Sequence, residues 1–403
     1  MATIGLCGFE CQSAGTTQHA WNNSAAPTYS TGVYEPGGGG TSLTRVYAGA
    51  ANDCGVMPLA IGAAQYWVGR FAIRVDSLGS SGVVALFSGT GGNVYLGYDP
   101  TADTFMVWTN GNYASRQAST TTVADATWCW IDVRINGTSR DFEWKIDGTS
   151  QTTKVLEGAT STFNGYVLLG SGSSDGVGSH PASGTVYYDS LAVSQTSGDY
   201  PLVYTGIKGF VPSADGTHNT GDAGNFTNAA GTNITNATTD AWTYLDEVPP
   251  TTTDRVEQRL RAPAASTYYV EVRFDSTAET RTPIAVDFLA SWRTATAANA
   301  AGDIRMRDNL GATDDAIVSG TINSVSDVYV TKHYAARPAA LGAWTAGAIA
   351  DLRARVGFGS DVTPDIWFGG IVAEAALQAE PSYWPGRRAP TSVLQAVNRA
   401  GSF

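Results

Sequence analysis

Residues 185–219 read TVYYDSLAVSQTSGDYPLVYTGIKGFVPSADGTHN, and this stretch decides the fold. Val186, Tyr188, Leu191 and Val193 supply the apolar positions of a half-buried strand, which the turn residues Ser197-Gly198-Asp199 end. A second apolar run follows at once through Leu202, Tyr204, Ile207, Phe210 and Val211, with an expected stop at Pro212-Ser213-Ala214-Asp215-Gly216. The last strand of one β-sandwich thus runs into the first strand of another with almost no linker. Independent swinging needs a Gly/Ser tether, so the joint implies a rigid tandem of structural or adhesive modules.

Upstream of the joint, short apolar runs recur with turn residues between them. Ile4 to Phe9 opens the series, and Trp67 to Val75 follows with Trp67, Phe71, Ile73 and Val75 inward and Arg70 and Arg74 outward. Val83 to Phe87, Val94 to Tyr98, Phe105 to Trp108, Trp128 to Ile135, Phe142 to Ile146 and Tyr166 to Leu169 repeat the pattern. Strands this short and this evenly spaced predict an antiparallel sandwich. Downstream, strands are expected at Arg255 to Leu260, Tyr268 to Phe274, Ile284 to Trp292, Ile304 to Arg307, Ala316 to Ile322 and Val328 to Tyr334, with a final strand around Trp367 to Val372. A helix is predicted over Thr345 to Val356, with Thr345 as N-cap, an apolar stripe of Ile349, Leu352 and Val356, and Gly357 closing it. The expected fold class is all-β: two antiparallel β-sandwich (jelly-roll) domains in tandem, 1–200 and 201–378, with one short helix and a C-terminal extension, 379–403.

Composition narrows the function. The 403 residues carry 43% hydrophobic and only 15% charged side chains, which excludes disorder and places Thr, Ser, Asn and Gly on the surface. A net charge of −12 argues against nucleic acid and against an anionic membrane surface. The opening MATIGLCGFE has neither a basic n-region nor a continuous apolar h-region, so no signal peptide is expected and the chain reads as made in a cytoplasm. No window approaches the roughly 20 apolar residues of a spanning helix. Cys7, Cys11, Cys54 and Cys129 show no second pair that would complete a metal site, and reduced thiols are expected.

The order of several short motifs resembles the concanavalin-like (LamG-like) jelly roll of bacteriophage minor structural proteins. They are Gly8-Phe9-Glu10, the strand Val68 to Val75, and Trp130-Ile131-Asp132-Val133-Arg134 with Phe142-Glu143-Trp144-Lys145-Ile146-Asp147-Gly148. Tyr188-Asp189-Ser190-Leu191-Ala192-Val193, Gly198-Asp199, Pro212 to Gly216, Tyr244 to Pro250 and Ala343-Trp344-Thr345 extend the resemblance over most of residues 1 to 378. It implies a virion location, a place as minor tail component or capsid decoration among other virion proteins in many copies, and no fixed catalytic residues.

Three site readings remain at this level. Concanavalin-like folds also host glycoside hydrolases, but the acidic group Asp141, Glu143 and Asp147 lacks a properly spaced acid pair, so no catalytic residue is assigned. A host-surface glycan is the alternative partner, with Trp108, Asn110, Asn112 and Tyr113 at an expected hairpin tip offering ring faces and amides. No cofactor is expected; a Ca²⁺ ion among Asp99, Asp103, Asp189 and Asp199 is conceivable but has no ligand run behind it. The last 25 residues differ from the rest, with three basic and one acidic residue against 21 and 35 before them. Tyr383, Trp384, Arg387, Arg388 and Leu394 make this segment a candidate docking arm for a neighbouring subunit.

Overall fold

The computed structural model describes residues 3–8, 28–36, 40–47, 53–58, 66–89, 92–109, 113–155, 166–171, 181, 183–217, 226–232, 234, 241–248, 252, 255–258, 269–308, 313–337, 341–357 and 365–378. Its strands form four antiparallel sheets that pack as two sandwiches. In the first sandwich, one sheet runs Thr149–Ser150, Asp141–Ile146, Trp128–Asn136, Tyr66–Asp76, Gly184–Ser194, Ser42–Tyr47 and Thr28–Ser30. Thr3–Cys7 also pairs with Gly184–Ser194, so the opening strand lies beside the closing one. The facing sheet runs Asp53–Pro58, Tyr166–Ser171, Gly82–Gly89, Gly92–Asp99, Thr104–Thr109 and Gln117–Thr122. Phe71, Ile73, Phe87, Leu96, Ile131, Phe142 and Tyr188 are buried between them, as the period-two pattern requires.

In the second sandwich, one sheet runs Phe226–Asn228, Val256–Gln258, Ile366–Leu377, Pro283–Thr294 and Val328–Tyr334, with Gly206–Phe210 also on Ile366–Leu377. The other runs Pro212–Asp215, Tyr269–Phe274, Leu352–Gly357, Ala300–Asp308 and Thr313–Ile322. Phe210, Val270, Phe274, Phe288, Ile304, Leu352 and Phe368 fill the space between.

Two expectations are corrected. The strand of the apolar run ends at Phe210, before Pro212, but the residues read as its stop form a strand of their own: Phe210 pairs with Ala373 in one sheet, while Pro212–Asp215 pairs with Tyr269–Phe274 in the other. The chain changes sheets at Val211, and Pro212 is tolerated as the first residue of an edge strand. The predicted helix over Thr345 to Val356 is only Ala346–Ala350, although Thr345 caps it as expected by accepting from the Ala348 amide at 3.1 Å. Leu352 and Val356 belong to a central strand, where Leu352, Ala354 and Val356 alternate into the core.

Candidate recognition surface

The joint that the sequence marks is a buried interface. Leu6, Val68, Ala72, Trp130 and Ala192 of the first sandwich pack with Leu202, Tyr204, Ile207, Ile284, Ala285 and Ala376 of the segment that follows. Burying Leu6, Val68, Leu202, Ile207 and Ile284 at about 1.5–3 kcal/mol each gives an upper estimate on the order of 10 kcal/mol. Strand Gly184–Ser194 supplies the polar part, because its register shifts between Asp189 and Ala192 and Ser190 sits at φ 52°. That bulge turns the Ser190 hydroxyl toward the second sandwich, where it accepts from the Ile207 amide at 2.9 Å. The Tyr204 hydroxyl lies 2.6 Å from the carbonyls of both Arg70 and Ser190, and burial raises its pKa well above the usual tyrosine value.

Arg70, outward from the first sandwich's core as expected, lies within this joint. Its guanidinium is 4.3 Å from the Trp130 ring centroid and 5.6 Å from that of Tyr204, and it donates to both oxygens of Asp132 at 2.9 and 3.0 Å. Asp132 is 1% exposed, and burial raises its pKa even though Arg70 opposes the shift. On the other side of the joint, the Asp287 carboxylate accepts from the Leu6 amide at 3.3 Å and that of Glu374 from the Gly8 amide at 3.0 Å. The outer edge of the opening strand is thereby closed by two carboxylates of the second sandwich. His333 Nδ1 lies 2.5 Å from the remaining oxygen of Asp287. Gly8 has to be glycine here, since a Cβ would stand 2.8 Å from Ile207 Cγ2.

Trp108 lies near a strand end as expected, but its sugar-stacking reading does not hold. Its ring is 0% exposed, stacks on Tyr95 at 5.5 Å, and receives the edge of Tyr113 at 5.2 Å. Gly97 leaves room for it, because a Cβ there would meet the ring at 2.6 Å. A ring with no accessible face cannot stack on a sugar. Tyr113 is half-buried with the Arg116 guanidinium 4.3 Å over its ring, and Asn110 and Asn112 lie outside the described residues. The four aspartates named for a conceivable Ca²⁺ serve separate local hydrogen bonds. Asp99 accepts from the Thr101 amide, Asp103 from the Tyr98 hydroxyl, Asp189 from the Glu35 amide and Asp199 from the Ser194 hydroxyl. Among the described residues no three acidic, His or Cys side chains are grouped to hold a metal. Glu143 is paired with Arg134 at 2.6 Å, and Asp147 accepts from the Trp130 amide at 2.8 Å. Cys7 and Cys129 are buried and outside any disulfide. Tyr383, Trp384, Arg387, Arg388 and Leu394 lie outside the described residues.

A charged network that sequence reading missed lies on the outer sheet face of the second sandwich, with Glu271, Asp303, Arg353 and Arg355 buried in it. Val270, Val272 and Phe274, Leu352, Ala354 and Val356, and Ile304 and Met306 point into the core. Their alternates Glu271 and Arg273, Arg353 and Arg355, and Asp303, Arg305 and Arg307 therefore share the outer face. Register sets Arg273 opposite Arg353 and Arg353 opposite Arg307, a row of three arginines across three strands, with Arg355 opposite Arg305 beside it. Glu271, fully buried, accepts from Arg353 at 2.8 Å and from Arg355 at 2.6 Å. Asp351 takes a further contact from Arg353 at 3.0 Å, and Asp303 one from Arg305 at 3.0 Å. The Arg355 guanidinium covers the Tyr269 ring at 3.8 Å. Each strand alone shows only polar alternation, so the row is visible only once the register is known.

No protein-family model and no curated protein matches the chain. Among solved structures, "Cellulose induced protein, Cip1" is 13% identical over 47% of this chain and 97% of its own, with a TM-score of 0.34. Domain 4 of the GH43 arabinanase AbnA from Geobacillus stearothermophilus, in complex with arabinotriose, is 13% identical over 48% of this chain and 91% of its own, with a TM-score of 0.33. The galectin LEC-6 of Caenorhabditis elegans is 11% identical over 34% of this chain and 89% of its own, with a TM-score of 0.27. The antiparallel β-sandwich architecture of this chain stands on its own strand pairing.

Proposed function

We propose that this chain is a non-enzymatic, carbohydrate-recognising adhesion subunit of a bacteriophage virion, in which two fused sandwiches act as one mount for a charged recognition face. The observation that carries the proposal is the outer face of the second sandwich, where the half-buried Arg273 and Arg307 flank the buried, ion-paired Arg353 on a strand framework. A binding surface on sheet strands is held more firmly than one on loops, and the buried joint fixes it relative to the first sandwich. Binding rather than turnover is favoured because Glu143 and Asp147 are engaged by Arg134 and by the Trp130 amide. The test is retention of the purified chain on a panel of immobilised polysaccharides, with new reducing ends assayed in parallel. Retention on at least one polysaccharide without chain shortening is expected. Absence of retention throughout, or steady release of reducing ends, rejects the proposal.

A purely structural particle subunit is the second reading, and the joint itself favours it, since a fused tandem transmits load without hinge motion. Residues 379–403 would then dock on a neighbouring subunit. Their deletion is expected to leave the melting temperature unchanged and to reduce incorporation into particles.

A further inference from the structure

We propose that His333, Asp287 and Glu374 form a pH-sensitive latch on the joint, in which the protonated imidazole steadies two carboxylates that grip the opening strand, and loss of its proton loosens that strand. The latch acts without any ligand, so it stands apart from the carbohydrate reading. Thr3–Cys7 belongs to the first sandwich by its pairing with Gly184–Ser194. Its outer edge is held by the second, since the Leu6 amide donates to Asp287 at 3.3 Å and the Gly8 amide to Glu374 at 3.0 Å. Amides two residues apart along a strand point the same way, which lets this pair reach the second sandwich together. Register sets His333, Asp287, Glu374 and Gly209 in one row across four strands. Neighbouring strands lie about 4.8 Å apart, and like charges directly opposite one another are destabilising. Asp287 is 4% exposed and Glu374 5%, so water screens neither well.

His333 Nδ1 lies 2.5 Å from the Asp287 oxygen that Leu6 does not use. Among the described residues, the cations next to the row are committed elsewhere. Lys332 pairs with Asp315 of Thr313–Ile322 at 2.8 Å. Lys208, beside Gly209, lies 5.1 Å over the Phe210 ring and 3.7 Å from Glu279. Arg293, farther along the strand of Asp287, lies 3.8 Å from Asp327. On the first sandwich, Gly184–Ser194 adds a further buried acid, Asp189, which accepts from the Glu35 amide, and the opening strand itself carries only the buried Cys7 thiol. Imidazole is the side chain whose ordinary titration falls between about pH 5 and pH 8. A proton held against carboxylates in the folded joint is bound more tightly than in the unfolded chain. Its contribution is complete below the free imidazole value of about 6.5 and is lost as pH rises through the higher folded-state value. Above that point the joint keeps two buried anions without the imidazolium, and the amides of Leu6 and Gly8 are held less firmly.

The experiment is hydrogen–deuterium exchange of the intact chain at about pH 6, 7 and 8, read by mass spectrometry and corrected for the intrinsic change of exchange rate with pH. Peptides covering Thr3–Cys7 with Gly8 report the joint, and Asp141–Ile146 reports the core of the first sandwich. In the parent, protection of the joint peptide should fall about ten-fold over this range, the factor that one pKa unit supplies, while Asp141–Ile146 stays unchanged. His333→Gln should be low and flat across the range. Lys332→Gln, on the same strand but paired with Asp315, should keep the slope of the parent. A substitution that merely weakens the fold lowers protection without removing the slope, so the slope decides. A flat profile in the parent, a slope that His333→Gln retains, a slope that Lys332→Gln also removes, or an equal fall over Asp141–Ile146 overturns the latch.

Discussion

Arg70 shows how one side chain serves both halves of the molecule, lying against Trp130 and beneath Tyr204 while donating to Asp132. Removing one partner of a buried ion pair leaves the other uncompensated, so Arg70→Ala is expected to cost about 3–5 kcal/mol in thermal or denaturant unfolding. Arg70→Met, with Asp132→Asn to remove the orphaned charge, should recover much of that loss. Glu279 offers a pH test. Burial alone would raise its pKa, but hydrogen bonds from Arg281, aided by the nearby Lys208, outweigh that and lower it from 4.5 to about 2. A carboxylate depressed in the folded state adds stability above its unfolded pKa and loses it as pH falls through the folded one. Glu279→Gln should therefore destabilise by on the order of 2 kcal/mol at neutral pH, with the gap to the parent closing between about pH 4.5 and pH 2. Trp108→Ala is expected to cost about 3–5 kcal/mol as a core truncation, read by calorimetry, and not simply to abolish a surface contact. The sequence placed Trp108 correctly on a strand end, but an aromatic beside Asn-Gly reads the same whether its ring is covered or open.

Strands were legible wherever apolar residues alternate, as in Trp67 to Val75 or Phe142 to Ile146, because burial on one face leaves a period-two trace. Gln117–Thr122, QASTTT, left no such trace, since its small polar side chains serve an edge position equally well in a loop. Residues 346–357 misled for a different reason. Thr345 is a true N-cap, and Ile349, Leu352 and Val356 fit helical spacing, yet Leu352-Arg353-Ala354-Arg355-Val356 alternates just as well. Tertiary context decided in favour of the strand, which is paired on both sides by Tyr269–Phe274 and Ala300–Asp308. Proline in a central strand removes a ladder hydrogen bond. Ala354→Pro should therefore expose the second sandwich to limited proteolysis, whereas a helix ending at Ala350 predicts little effect from Ala350→Ser. The arginine row belongs to this scale too, because cross-strand register is set by long-range pairing that no local pattern reports.

At the scale of the whole molecule, the absence of a tether between Val193 and Leu202 was the most readable feature of the sequence, and the chemistry that makes the joint firm was the least. Apolar content foretold Leu202, Tyr204 and Ile207 as buried, and all three are at or below 2% exposure. Nothing in the local sequence announced that Asp287 and Glu374 would close the edge of the opening strand from more than 280 residues away. Gly8→Val is expected to loosen the joint, since the added side chain meets Ile207, and to make each sandwich unfold more independently. The fused tandem is the claim on which the recognition face depends, and differential scanning calorimetry of the intact chain tests it most directly. A single transition whose calorimetric and van't Hoff enthalpies agree is expected for the parent, splitting in Arg70→Ala and Gly8→Val. Two well-separated transitions in the parent chain would contradict a fused joint.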